Sequence, residues 1–176
     1  AVEANRELER IMVFLQAHGI SPHLALKIYR HYGDEALQVV RENPYRLTED
    51  IFGVGFVTAD RIARQLGVFL HDPFRLQAGL RYVLGEACYQ QGHTYLPEEM
   101  LLEGALKLLN TPDIEEPIEK EELTAALDAL VGAGELIREE QGIYLPPLHQ
   151  AETRLADRLA RLARLRYEID ENKVRA

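Results

Sequence analysis

The sequence predicts a mainly α fold with a little β structure, and three observations carry that reading. Apolar residues recur at helical spacing through most of the chain. Two glycine turns, at Gly19 and at Gly53-Val54-Gly55, each separate one such helix from the next. Two short β-prone runs, Glu135 to Arg138 and Ile143 to Leu145, flank Gln141-Gly142 after the last of three further helices. Together these describe a tandem helix-hairpin-helix bundle followed by a winged-helix-like unit with a small β-hairpin. The expected divisions are 1–71 for the hairpin domain, 72–148 for the winged-helix-like domain, and 149–176 for an amphipathic helix and linker.

Each element has a local cause. From Asn5 to Ala17, Leu8, Ile11, Met12 and Leu15 mark one helical face. His18-Gly19-Ile20 stops that helix with a glycine at its C-terminal cap. Ser21 is placed as an N-cap and Pro22 as the first residue of a helix to about Tyr32. Gly33 closes it, and Asp34 opens another that ends near Glu42. Asn43-Pro44 is a breaker, so Leu47 to Phe52 reads as a short helix or turn. The second glycine turn and its helix follow, ending at Gly67. Residues 5–67 are thus an internal repeat of one device, in which the first copy keeps only one of the two glycines.

Asp72-Pro73 opens a helix over about 74–91, with Leu76, Leu80, Val83, Leu84 and Ala87 on its apolar face. Gly92 stops it, and Thr94-Tyr95-Leu96 reads as a short strand. Helices at about 97–109 and 120–132 follow, separated by the turn-rich Asn110 to Pro117. Gln150 to Arg166 is one amphipathic helix: Leu155, Leu159, Leu162 and Leu165 line one side, and Arg154, Arg158 and Arg161 another. The last ten residues lack a core pattern and read as a linker.

With 176 residues, 47% of them apolar, the chain has the length and composition of a globular protein. No apolar run approaches the ~18 residues that span a bilayer, and no signal-peptide pattern opens the chain, so no membrane partner is expected. Cys88 is the only cysteine; this excludes an internal disulfide and a thiolate zinc cluster and suits a reducing cytoplasm. The net charge of −9 opposes nucleic-acid binding, but its distribution matters. Residues 1–71 carry a net −1, residues 72–150 a net −10 and residues 151–176 a net +2. The acidity lies outside the glycine turns.

The second turn carries the chemistry. A glycine turn that runs straight into a helix presents backbone N–H groups with no acceptor inside that helix. The helix dipole and those donors favour the same anion, so the expected ligand is a nucleic-acid phosphate. The candidate contacts are the backbone of Gly53, Val54 and Gly55, the Thr58 hydroxyl near the helix start, and Arg61 or Arg64 one or two turns along. Val54 is expected as a buried plug. The plainer alternative is that both glycines only permit positive φ angles for close packing. In the first turn, Gly19, Ser21, Lys27 and Arg30 form a weaker second candidate grip, set against a degenerate copy kept for the shared core.

Other conspicuous residues read as structure. His93 follows Gly92 without a nucleophile or acid spaced around it, and the remaining histidines lack metal-ligand spacing. Asp72 precedes Pro73 as a helix N-cap, with no partner lysine of the kind glycosylase chemistry needs. The winged-helix-like unit is too acidic to enter a major groove, and its 97–140 region is instead expected to dock a protein partner. The arginine stripe of the last helix is ordinarily a solvated face, or touches DNA or acidic neighbours in a larger assembly.

Three separated motifs also carry a resemblance: Asn43-Pro44-Tyr45-Arg46-Leu47, then Gly53-Val54-Gly55-Phe56 with Ala59-Asp60, then Gly92-His93-Thr94-Tyr95-Leu96-Pro97. In order and spacing they resemble the N-terminal region of the long, stand-alone bacterial RecD-like DNA helicases, over about residues 5–166. The resemblance implies helix-hairpin-helix motifs that precede a superfamily 1 motor moving 5′ to 3′ with ATP and magnesium. The motor's G-x-x-x-x-G-K-[ST] phosphate loop does not occur in these 176 residues, so ATP and magnesium are expected only in a motor outside them. The implied role is that of a non-catalytic, backbone-binding accessory module whose partners are single-stranded or forked DNA and the motor domains of the same parent chain. The alternative is a protein–protein docking module in which the hairpins are scaffold.

Overall fold

Helix signals in the sequence resolve, in the computed structural model, into a mainly α architecture over residues 2–112 and 114–174, which are the residues described here. The first elements are α1 (Val2–Ala17), α2 (Pro22–Tyr32), a 3-10 turn at Gly33–Glu35, α3 (Ala36–Glu42) and a second 3-10 turn at Pro44–Arg46. They continue with α4 (Leu47–Asp50), α5 (Phe56–Gln65), α6 (Pro73–Gln90), β1 (Tyr95–Leu96), α7 (Glu98–Leu109) and α8 (Lys120–Gly132). The last are β2 (Ile137–Arg138), β3 (Ile143–Tyr144) and α9 (Pro146–Val174).

The chain packs as two compact units, residues 1–83 with 102–127 and residues 84–101 with 128–176. These divisions fall at other places than the expected 71 and 148, because α6, α7 and α8 each run through a boundary.

The first unit is built around the hairpins. Ile11 and Leu15 of α1, Ala25 and Ile28 of α2, and Val39 and Val40 of α3 are buried together with Tyr45, Leu47, Phe56, Ile62 and Ala63. Burial of each large aliphatic side chain contributes on the order of 1.5–3 kcal/mol, which makes this shared core the main reason the hairpin copies hold together. Tyr45 stacks on Phe56 at a ring-centroid distance of 5.9 Å, and Phe56 meets Tyr82 of α6 at 5.9 Å. Asn43 caps the Pro44–Arg46 turn: its Oδ1 accepts from the Tyr45 N–H at 3.1 Å. Asn43-Pro44 breaks the helix as expected and then starts the next turn. Asp72 is the cap expected from its proline neighbour, its Oδ1 accepting from the Phe74 N–H at 2.8 Å.

In the second unit, the three short strands form one antiparallel sheet in the order β1-β3-β2. Tyr95 pairs with Tyr144 and Leu96 with Ile143; Ile137 and Arg138 pair with the same two β3 residues from the other side. The β2–β3 connection closes through reciprocal bonds between Glu139 and Gly142, at 2.9 and 3.2 Å. Arg138 anchors β2 by ion pairs to Glu98 and Asp128, both at 2.8 Å. The order helix, strand, helix, helix, hairpin is the one expected. The final helix is longer than the 150–166 expected: it starts at Pro146 and continues to Val174, through most of the segment read as linker. Arg175 and Ala176 lie outside the described residues.

Candidate nucleic-acid interface

The second hairpin starts from a tight turn. Ile51 to Val54 is closed by the Val54 N–H donating to the Ile51 carbonyl at 3.1 Å. Gly53 occupies its third position at φ +89°, where a side chain would be strained and glycine is the ordinary choice. Val54 is buried at 7% exposure and plugs the turn into the core. Its N–H is therefore spent inside the turn, and donors without a helical acceptor lie beyond it.

They lie at the start of α5. Gly55 is the N-cap, with φ −92° and ψ 175°, and makes no side-chain cap bond. Its carbonyl accepts from the Ala59 N–H at 3.1 Å and begins the helical ladder. The N–H groups of Phe56, Val57 and Thr58 precede that ladder and have no helical acceptor. The two glycines are thus glycine for different reasons. Gly53 needs its positive φ, whereas Gly55 has ordinary extended dihedrals and no atom within 4 Å of where a Cβ would stand. Neither backbone strain nor packing asks for glycine at 55. Its missing side chain leaves the start of α5 without a side-chain cap.

Thr58 is half-buried in the first turn of α5, and Arg61 is exposed one turn along. Arg64 is placed otherwise. Its Nε donates to Asp60 Oδ2 at 3.2 Å and its Nη2 to the Thr111 hydroxyl at 3.2 Å, so it serves the fold. Asp60 is the hub of a network that the sequence did not reveal. Its Oδ1 accepts from Arg75 Nε and from the Tyr45 hydroxyl, both at 2.8 Å. Arg75, 1% exposed, also donates to the carbonyls of Leu70 at 3.0 Å and Leu109 at 3.1 Å. Burial, together with the Asp60 carboxylate, pushes the Tyr45 hydroxyl far above its ordinary pKa, so it remains a donor. Arg75 stands on α6 with no motif around it, and only its place among Leu76 and Leu80 hinted at burial.

The first hairpin repeats the shape without the opening. Gly19 has φ +72°, Ile20 is a buried plug at 3% exposure, and the Ile20 N–H donates to the Leu15 carbonyl at 3.1 Å. Ser21, however, caps α2 with its own hydroxyl, which accepts from the Leu24 N–H at 3.3 Å. Pro22 then removes a second donor. A Cβ at Gly19 would meet the Gln65 side chain at 2.5 Å, so the end of α5 also approaches this turn, which itself stays exposed. Lys27 is half-buried and Arg30 exposed. The two copies share a fold, and the one at Gly53 leaves its helix start without a side-chain cap.

Paired helices joined by glycine turns, each pinned by a buried aliphatic plug, define a helix-hairpin-helix protein. Comparison narrows the class. The family described as the ATP-dependent RecD2 DNA helicase HHH domain matches residues 4–95, and the chain belongs to that family. An ATP-dependent RecD2 DNA helicase of Deinococcus radiodurans is 33% identical over 153 residues, covering 84% of this chain. The chain spans only 21% of the length of that relative.

Proposed function

We propose that this chain is a non-catalytic DNA-engaging module of a RecD-like helicase that moves 5′ to 3′, and that it holds the phosphate backbone without sequence specificity. The observation that carries the reading is Gly55: neither its dihedrals nor its surroundings require glycine, and it leaves the start of α5 without a side-chain cap. An anionic phosphate fits there, drawn by the open N–H groups and the positive end of the helix dipole. Thr58 and Arg61 extend the grip, and Arg64 acts behind it through Asp60. The hairpin part, 1–71, would supply the contact. The winged-helix-like part, 72–148, would face protein, because its net of −10 repels a polyanion. ATP and magnesium would belong to motor domains of the parent protein, and the setting would be the cytoplasm.

Contacts to phosphate make affinity fall with salt and ignore sequence. Anisotropy titrations of labelled single-stranded and forked DNA, in mixed sequences and at several salt concentrations, test this. Sequence-independent binding with a negative salt slope supports the reading; no binding at low salt removes it.

A second reading rests on α9. Leu155, Leu159 and Leu162 are 58%, 58% and 62% exposed, an apolar stripe beside Arg154, Arg158 and Arg161. Such a stripe suits a protein contact, the motor of the parent chain included, and that role is compatible with DNA binding at the other end of the sequence.

A further inference from the structure

Phe52 has no place in the core. It occupies the second position of the Ile51–Val54 turn with 96% of its surface exposed, while Ile51 and Val54 on either side of Phe52 and Gly53 are buried. The turn is held by Gly53 and by the Val54–Ile51 bond, whatever side chain stands at 52. A phenyl ring left in water adds nothing to folding. It also sits only three residues before Gly55, a length of chain that reaches at most about 11 Å. The ring and the open start of α5 therefore fall within reach of one phosphate and the base of the same or the next nucleotide. Val57, in the first turn of α5, adds further apolar surface at 69% exposure.

We propose that Phe52 is a stacking platform for an unpaired base, which makes the second hairpin a reader of single-stranded rather than duplex nucleic acid. This goes beyond the backbone contact above and rests on it. In a duplex both faces of each base are taken by neighbours, whereas an unpaired base has a face to offer an aromatic ring. Stacking of this kind tolerates every base, so it adds strand-type preference without adding sequence preference.

The test compares the unaltered chain with Phe52→Ala on three labelled ligands at fixed salt: a deoxythymidine oligomer, the same oligomer carrying abasic sites, and a duplex of equal length. The expected result is tighter binding of the oligomer than of its abasic form by the unaltered chain. Phe52→Ala should lose about five- to hundredfold on the intact oligomer, lose the distinction between the two single strands, and bind duplex as before. Its melting temperature should be unchanged, since the side chain is solvent-exposed. Equal affinity of the variant and the unaltered chain for the oligomer overturns the stacking role and leaves the backbone grip standing. Absence of binding to all three ligands overturns the grip as well.

Discussion

Arg75 closes over Asp60: Nε donates to Oδ1 at 2.8 Å and Nη2 to Oδ2 at 3.3 Å, with the arginine 1% and the aspartate 8% exposed. This pair joins α5, the helix whose start forms the candidate grip, to α6. Two buried charges are tolerated here because each has further partners. Tyr45 and Arg64 also donate to the carboxylate, and two backbone carbonyls accept from the guanidinium. Removing one partner leaves the other charge buried and uncompensated, which costs about 3–5 kcal/mol. Arg75→Met should lower the urea midpoint of unfolding accordingly. A double variant, Arg75→Met with Asp60→Leu, should recover much of the loss. A single variant as stable as the parent would contradict the network's importance.

The two glycines of the second hairpin should respond differently to alanine. At φ +89°, Gly53→Ala forces a side chain into the left-handed region, at a cost of about 1–2 kcal/mol. Gly55→Ala meets neither strain nor a clash and should change stability by less than about 1 kcal/mol. Thermal melts of both variants check the order. Equal destabilisation would mean that Gly55 is structural after all.

Arg61 and Arg64 should also part. Arg61→Ala should weaken DNA binding across all sequences and flatten the salt dependence by about one unit of slope, while leaving the melt unchanged. Arg64→Ala should act first on stability, because it removes a donor from Asp60 and a bond to Thr111. Anisotropy and melting curves on the same two variants separate these effects.

His71 and Glu122 give the fold a pH dependence. His71 Nδ1 lies 2.8 Å from Glu122 Oε2, and that hydrogen bond raises the imidazole above its ordinary pKa. Glu122 is held low, first by the Glu119 N–H that donates to it and then by His71. The raised histidine contributes stability that is complete below about pH 6.5 and is lost as pH climbs through its folded value. The lowered carboxylate contributes stability present above about pH 4.3 and lost as pH falls through its own folded value. Melting temperature against pH should therefore show a contribution greatest from about pH 4.5 to 6.5, of which His71→Gln removes the histidine's share and leaves the part due to the Glu119 N–H. Identical pH profiles for the two proteins would refute the link.

Much of the fold was legible because its signals are local. Ser21-Pro22 and Asp72-Pro73 announce helix starts through the geometry of one or two residues, and Gly53 announces a turn that only glycine readily makes. The second hairpin was legible for the same reason, down to Val54 as its plug. Long-range chemistry was not. That Arg64 turns back to Asp60, and that Arg75 reaches the same carboxylate, depends on how α5 and α6 pack, which no spacing encodes. A Gly-Val-Gly string shows where N–H groups are unhindered, but only the closed turn shows that Val54 has already spent its own. The end of α9 ran past its expected stop because a helix can continue without a core-facing stripe when its residues favour helix on their own.

The central claim is that Gly55 keeps the start of α5 open for a phosphate, and Gly55→Asp tests it most directly. Aspartate is a better N-cap than glycine and suits the helix dipole, so this variant should fold with equal or slightly higher stability, by roughly 0.3–1 kcal/mol. The same carboxylate would occupy the N–H groups and repel an approaching phosphate. Anisotropy at low salt should then show at least a tenfold loss of affinity for single-stranded DNA in a protein that melts no lower than its parent. Undiminished binding by a stably folded Gly55→Asp protein would contradict the account and place the DNA contact elsewhere.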